Sequence, residues 1–170
     1  ADLHVVADPV EDRAVQLAES VRVDRQLPGD ATVTTTTPGT TQTSTTTTSY
    51  ENAYGLPTAV QVATSDAGTS CTQTSYATGN TTNWLINYPA RVFRYATTCG
   101  ASLNYPASVA VDGGDVISDI YSYYDGSTTN GATPSAGDVT MTKTAVGYAG
   151  DGTASLQTTA TTTFDTLGRP

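Results

Sequence analysis

The sequence contains few charged residues and no long apolar run. Only 14% of its 170 residues are charged, and the acids outnumber the bases, so the net charge is −9 and the isoelectric point about 4.1. Such a surface is a poor partner for nucleic acid, because phosphates bind clustered Lys and Arg. No run of about 18 apolar residues is present, which predicts that no helix spans a membrane. We therefore expect neither a nucleic-acid-binding protein nor a membrane-spanning one.

The sequence offers little of the chemistry that catalysis requires. Its single histidine, His4, has no Cys, Asp or Glu at metal-ligand spacing, and no Gly-x-Ser-x-Gly motif occurs. Asp119 could pair with Asp115 or with Asp125 as the two carboxylates of a glycosidase. Asp residues in turns, however, commonly accept hydrogen bonds from backbone amides, and we favour this interpretation. We therefore expect no cofactor, no metal site and no enzymatic activity.

Threonine is the most abundant residue: the chain has 35 Thr and also ten Tyr. β-branched and aromatic side chains favour strands. From residue 31 onward, alternating segments are separated by turn residues, and Pro38-Gly39 fits a type II turn within a hairpin over 31–49. The sequence therefore predicts an all-β, antiparallel hairpin meander of about eight strands. The later strands are expected at 57–64, 69–77, 90–97, 115–124, 137–148 and 153–164.

Residues 1–30 differ in composition from the rest. They contain seven of the sixteen acidic residues and three of the seven basic ones. Asp8-Pro9-Val10-Glu11 has the form of a helix start and predicts a short helix or irregular segment over 9–20. The alternation of a strand is an alternative, at Leu17, Val21 and Val23. We therefore separate an N-terminal segment, 1–30, from a β domain, 31–170.

The chain has two cysteines, Cys71 and Cys99. If strands 69–77 and 90–98 pair in antiparallel fashion, the two residues can lie opposite one another and form a disulfide. Two buried free thiols are the alternative. A threonine-rich surface with a single lysine resembles that of extracellular proteins, a compartment that permits disulfides.

The densest apolar cluster is Trp84, Leu85, Ile86 and Tyr88. Such aromatic residues can stack on sugars or on a protein partner. They can also plug one side of a sheet. We favour the plug, because the sequence has little other bulky apolar surface with which to form a core.

A motif of an aromatic residue, an acid, a short spacer and a glycine occurs twice, and a third, looser member lacks the spacer. Its members are Tyr50-Glu51 with Gly55, Tyr124-Asp125-Gly126, and Phe164-Asp165 with Gly168-Arg169. We expect the aromatic residue to end a strand and the acid to accept hydrogen bonds from turn amides. The glycine would adopt a backbone angle that other residues resist.

The terminal segment "FDTLGRP" resembles the YD repeat of rearrangement-hotspot (Rhs) proteins, in which Tyr-Asp is followed after two residues by Gly-Arg. The earlier segment "YENAYGLPTAV" is similar to a degenerate copy. The middle block, residues 71–100 running into 121–148, resembles the spacer between YD repeats of large bacterial Rhs proteins. The resemblance covers residues 30–170, and only the last motif keeps both the Asp and the Gly-Arg pair.

In the Rhs family, YD repeats form a β-sheet ribbon that spirals into a hollow shell around a C-terminal toxin domain, and teneurin adhesion proteins have a related shell. The resemblance implies a non-catalytic structural segment of a secreted or cell-surface bacterial protein, which encapsulates or presents a C-terminal effector domain. Its partners would be neighbouring repeats or identical subunits, joined through strand edges. The alternatives are a secreted adhesin or filament subunit that assembles through strand edges, and a carbohydrate-binding β module with a glycan as partner.

Overall fold

A computed structural model of the chain describes residues 20–26, 30–37, 39, 41–110 and 114–170. Within these residues the protein forms one nine-stranded antiparallel sheet, in which the strands lie side by side in sequence order. The strands are β1 (Ser20–Gln26), β2 (Asp30–Thr36), β3 (Thr43–Tyr50), β4 (Pro57–Thr64), β5 (Gly68–Tyr76), β6 (Pro89–Tyr95), β7 (Val116–Tyr124), β8 (Val139–Tyr148) and β9 (Ala154–Thr161). The predicted all-β antiparallel meander is confirmed.

Threonine hydroxyls pair across β2 and β3. The Oγ1 atom of Thr32 lies 3.3 Å from that of Thr47, and the Oγ1 atom of Thr34 lies 3.2 Å from that of Thr45. Both pairs are direct cross-strand partners in the register of the two strands. Such pairs contribute roughly 0.2–1 kcal/mol each. The threonine-rich segments therefore form a hairpin, and Gly39 lies in its turn with a φ of +77°.

Four junctions between consecutive strands repeat one arrangement. Strands β3, β5, β6 and β7 each end at a tyrosine that pairs with the first residue of the next strand. The second residue of the next strand is left out of the register, which creates a β-bulge and a local bend. The pairs are Tyr50 with Pro57, Tyr76 with Pro89, Tyr95 with Val116, and Tyr124 with Val139. We call this arrangement the tyrosine junction.

The tyrosine hydroxyls at two of these junctions reach the preceding strand. The hydroxyl of Tyr76, at the end of β5, donates to the carbonyl of Pro57 at the start of β4 (2.9 Å). The hydroxyl of Tyr124, at the end of β7, donates to the carbonyl of Pro89 at the start of β6 (2.8 Å). Each tyrosine thus connects three consecutive strands, because its backbone pairs forward and its side chain bonds backward.

The main core lies on one face of the sheet. Its buried residues are Cys71, Phe93, Tyr95, Ala145 and Tyr148. The long connection between β6 and β7 covers them and contributes Leu103, Tyr105 and Val109. Hydrogen bonds from Val109 N–H to the Val146 carbonyl (2.8 Å) and from Tyr148 N–H to the Pro106 carbonyl (2.9 Å) attach this connection to β8.

A second, smaller cluster is formed by Ala77, Ala90 and Tyr124. The ring of Tyr88 packs against it and meets the Tyr124 ring edge to face, with 5.3 Å between centroids. The loops 77–88 and 125–138 are joined above this cluster by the side-chain amide of Asn80, which donates to the Pro134 carbonyl (2.9 Å).

The strand bounds agree closely with the prediction. The predicted strand 57–64 coincides with β4, and β5 to β8 lie within two residues of their predicted bounds, whereas β9 ends three residues early. The sheet also includes β1, which lies in the N-terminal segment, residues 1–30, that was set apart by its composition.

The helix predicted over 9–20 falls almost entirely on residues outside the described part, as do His4 and Pro38. Among the described residues no helix long and apolar enough to cross a membrane is found.

The prediction that Trp84 fills the core is wrong, because its side chain is 69% exposed. It lies in a turn beyond the end of the sheet, closed by backbone hydrogen bonds in both directions between Asn80 and Leu85 (3.0 and 2.9 Å). Of the predicted plug, Tyr88 does pack against a buried cluster, and Leu85 and Ile86 are half-buried.

Candidate functional site

The acid of each aromatic–acid motif binds the backbone of its own turn. Glu51 accepts hydrogen bonds from the N–H groups of Ala53, Tyr54 and Leu56, at 2.6, 2.6 and 3.2 Å. Burial alone raises the pKa of Glu51, but the backbone hydrogen bonds together outweigh burial and lower the pKa below its ordinary value of 4.5. Glu51 is therefore a carboxylate at neutral pH.

Asp125 is the most extensively bonded of the three acids. Its carboxylate accepts the N–H groups of four consecutive residues, Ser135 (2.6 Å), Ala136 (3.1 Å), Gly137 (3.1 Å) and Asp138 (2.9 Å). Its φ of +54° lies in the left-handed region, which Asp tolerates better than most residues. Burial raises the pKa of Asp125, but the four N–H groups together lower it below the ordinary 3.8. This carboxylate thus organises the return of the chain to β8.

Asp165 uses both the backbone and the side chain of Arg169. Its Oδ1 accepts the N–H groups of Leu167 (2.8 Å) and Arg169 (3.0 Å), and its Oδ2 accepts the Nε of Arg169 (2.7 Å). The hydrogen bond from the Arg169 side chain is the main reason that the pKa of Asp165 is lowered. The Asp and the Gly-Arg pair of this motif therefore stabilise one turn together.

One closing hydrogen bond is common to five turns. In each, the residue after an aromatic residue donates its N–H to a carbonyl later in the same turn. In four of the turns the aromatic residue ends a strand and the carbonyl belongs to the residue just before the next strand, whereas Phe164, expected to end a strand, lies three residues beyond the end of β9. The pairs are Glu51 with Leu56, Ala77 with Tyr88, Ala96 with Asp115, Asp125 with Asp138, and Asp165 with Arg169, at 2.8–2.9 Å. Gly55, Gly126 and Gly168 all have φ values near +70°, namely 69°, 74° and 72°. Pro170 therefore occupies the position of Pro57 and Pro89, which begin strands.

An ion pair with a buried carboxylate joins β6 to β7 on the core face. The Asp119 carboxylate, only 1% exposed, accepts Nε of Arg91 at 2.7 Å and Nη2 at 2.8 Å. The hydroxyls of Tyr148 (2.8 Å) and Tyr121 (3.2 Å) donate to the same carboxylate. Burial, followed by the Asp119 charge, raises the pKa of Tyr121 to about 12, and burial with the Asp119 hydrogen bond raises that of Tyr148 further. Both phenols are therefore neutral donors.

The carboxylates considered for glycoside hydrolysis each have donors from this chain. Asp119 accepts the four hydrogen bonds just described, and Asp125 accepts hydrogen bonds from the N–H groups of its turn. Asp115 accepts a hydrogen bond from the Asn104 N–H (2.7 Å). Among the described residues, no group of three or more His, Cys, Asp or Glu side chains is placed to hold a metal ion.

The predicted disulfide is present. Cys71 and Cys99 are bonded, with 5.1 Å between their Cα atoms. Strands β5 and β6 pair in antiparallel fashion as expected, but Cys71 is opposite Tyr95, and Cys99 lies beyond the end of β6. The bond therefore anchors the connection that covers the main core, and it fits an oxidising compartment.

Beside the first acid turn is an open groove of about 350 Å³. Its walls come from the Glu51 turn, the last residues of β5 and the loop after β5, and its apolar lining is formed by Tyr54, Leu56, Tyr76, Ala77 and Ile86. A second hollow of about 230 Å³ shares Thr58, Thr74 and Ser75 with it and reaches Gln73, Arg91 and Phe93. We call the two together the aromatic groove.

Trp84 packs against Tyr54, one of the residues that line the aromatic groove. Its ring meets the ring of Tyr54 at 84°, with 6.4 Å between centroids. Trp84 also has a φ of +56°, in the left-handed region that disfavours bulky residues. Two exposed aromatic rings from distant parts of the sequence are thus in contact, and one of them, Tyr54, lines the groove.

Sequence reasoning did not find the ion pair or the groove. Residues two apart share one face of a strand, so the sequence puts Arg91 with Phe93 and Asp119 with Tyr121, but it does not relate the two faces to each other. The register, which sets Arg91 opposite Tyr121 and Phe93 opposite Asp119, was the missing information.

No family model, curated protein or solved structure matches this chain. The resemblance to YD repeats therefore stays a prediction from the motifs.

Proposed function

We propose that this chain is a non-catalytic structural segment of a YD-repeat ribbon, part of a secreted or cell-surface bacterial protein that encloses or presents a C-terminal effector domain. The observation that carries the proposal is the recurrence of the tyrosine junction with its closing hydrogen bond. A unit repeated along a sheet adds strands without a change in local chemistry, so it suits a ribbon of any length.

The outer strands support this role. Within the part of the chain that the structure describes, β1 pairs only with β2, and β9 pairs only with β8. Seven of the eight residues of β9 are exposed. An unpaired strand presents backbone N–H and C=O groups that pair readily with another strand. In the proposed ribbon, the turn at Asp165–Arg169 directs the chain back along β9.

The same two edges favour a second candidate, a filament subunit. A chain with one open edge at each side of its sheet can pair β9 of one copy with β1 of the next, and this head-to-tail contact extends without closure. The two candidates differ in whether the added strand belongs to the same polypeptide.

The experiment is limited proteolysis of the full-length gene product, with mass spectrometry of the fragments and a size measurement. The ribbon predicts further Tyr-Asp-x-x-Gly-Arg turns after Pro170 and a C-terminal domain that protease reaches only after the shell is denatured. A C-terminal domain cleaved at the same rate in native and denatured protein contradicts enclosure. If the gene product has no further Tyr-Asp-x-x-Gly-Arg turns and forms ordered linear polymers, the chain is a filament subunit instead.

A further inference from the structure

The aromatic groove has the composition of a sugar-binding surface. Its apolar lining is largely ring and branched side chains, and its polar lining consists of hydroxyl and amide groups from Thr58, Thr74, Ser75 and Gln73. Pyranose rings present apolar C–H faces and a rim of hydroxyls, so they match this combination.

The charges at the groove are already engaged. Glu51 and Arg91 are the two charged residues among those that line it. Glu51 accepts three backbone N–H groups, and Arg91 donates through Nε and Nη2 to Asp119. The net charge of −9 further disfavours an anionic ligand. The groove therefore suits an uncharged ligand.

The groove offers little to a peptide. Strands β4 and β5, which form its floor, are paired on both sides, β4 with β3 and β5, and β5 with β4 and β6. A peptide could not add to these strands as a new strand, and strand addition is the main way in which extended peptides bind sheets. Recognition must therefore use side chains.

The backbone of Trp84 indicates that its ring has a purpose outside the fold. The turn that holds it is closed by Asn80 and Leu85, and the Asn80 side chain also accepts the Asn83 N–H (3.1 Å). Glycine is the residue best suited to the positive φ at position 84. The chain instead places its single tryptophan there, 69% exposed. Strained residues of this kind are found preferentially at binding sites.

From these observations we propose that the aromatic groove binds a neutral oligosaccharide, with a sugar ring stacked on Trp84, the next held beside Tyr54, and the hydroxyls bonded along Thr74 and Ser75. This binding is separate from the scaffold role and does not depend on it. It requires only the groove, whose lining residues lie on the Glu51 turn, β4, β5, the loop after β5 and β6, together with Trp84 beside Tyr54.

The test uses the whole chain on a glycan array, followed by titration with cellohexaose, chitohexaose and mannohexaose. Because Trp84 is the only tryptophan, a change in tryptophan emission on titration reports contact at this site directly. We expect a saturable change with at least one neutral hexasaccharide and none with polygalacturonate.

Two variants separate binding from folding. Trp84→Gly relieves the positive φ, so its thermal midpoint should equal or exceed that of the parent, while calorimetry should show affinity reduced about tenfold or more. Tyr54→Ala should weaken binding in the same direction with the tryptophan reporter intact. Leu167→Ala, at an exposed apolar position in another turn, is the matched control and should bind as the parent does.

Three results overturn the proposal. One is an array without hits together with unchanged emission for all three hexasaccharides. The second is glycan binding that Trp84→Gly and Tyr54→Ala leave intact. The third is a lower thermal midpoint of Trp84→Gly with unaltered binding, which would make Trp84 a structural residue. A response to apolar peptides but not to sugars would identify a protein partner in place of the glycan.

Discussion

Arg91 and Asp119 lie diagonally across β6 and β7 and form two hydrogen bonds, Nε to Oδ1 at 2.7 Å and Nη2 to Oδ2 at 2.8 Å. The Arg91 guanidinium also lies over the rings of Phe93 (4.5 Å) and Tyr121 (5.0 Å). The side chain of Arg91 is 32% exposed, whereas that of Asp119 is completely buried. This unequal exposure determines which partner is costlier to remove.

We expect Arg91→Met to lower the free energy of unfolding by about 3–5 kcal/mol, because it leaves a buried carboxylate without its counter-charge. Asp119→Asn should cost less, about 1–3 kcal/mol, because the guanidinium can still reach water. Urea denaturation of both variants measures the difference. Equal losses, or a larger loss for Asp119→Asn, would show that the pair does not behave as a buried carboxylate with a partly exposed partner.

The Cys71–Cys99 bond closes a loop across 28 positions of sequence. In the chain-entropy model, a loop of this length stabilises the folded state by about 3.6 kcal/mol. Replacement of both cysteines by Ala should therefore lower the free energy of unfolding by about 2–4 kcal/mol. The parent protein treated with reductant should show a similar loss, and a parent whose denaturation midpoint is the same with and without reductant would contradict this account.

Asp125 should give stability a distinct pH dependence. Its folded-state pKa lies below the ordinary value of 3.8, so its contribution is fully present above that value and is lost as the pH falls through the folded pKa. Asp125→Asn keeps a residue that tolerates positive φ but removes the charge, and it should cost on the order of 1–2 kcal/mol at neutral pH. The stabilities of parent and variant should converge as the pH is lowered toward about 2. If the free energies of unfolding of parent and variant instead differ by the same amount at every pH in this range, the charge of Asp125 does not contribute to stability.

Gly147 and Gly150 form a matched pair of glycines in and after β8. A Cβ atom on Gly147 would overlap the backbone carbonyl of Ala107, whereas a Cβ on Gly150 would meet no atom within 4 Å. Gly147→Ala should therefore displace the connection that covers the main core and cost about 1–3 kcal/mol. Gly150→Ala should change stability by less than about 0.5 kcal/mol. Thermal denaturation compares the two, and equal midpoints would mean that the connection is not held against Gly147.

The positions of the strands and most of their bounds can be predicted from the amino-acid sequence. Threonine and tyrosine favour extended backbone at each position, and the Gly- and Asp-containing turns mark where strands end. These are local properties, which is why β4 could be predicted to the residue. The sequence left a Cys71–Cys99 disulfide and two free thiols open, and the bond joins β5 to the connection after β6 rather than two opposite strand positions.

Which side chains contact one another depends on how the strands and turns are arranged in space. The ion pair of Arg91 with Asp119 depends on the register of β6 against β7, and a shift of one residue would send the two side chains to opposite faces. The meeting of Tyr54 with Trp84 depends on two turns that are thirty residues apart in sequence. Trp84 is exposed because the turn between Asn80 and Leu85 holds it away from the core. The apolar residues around it in the sequence predict burial, but burial depends on where the backbone lies in the fold.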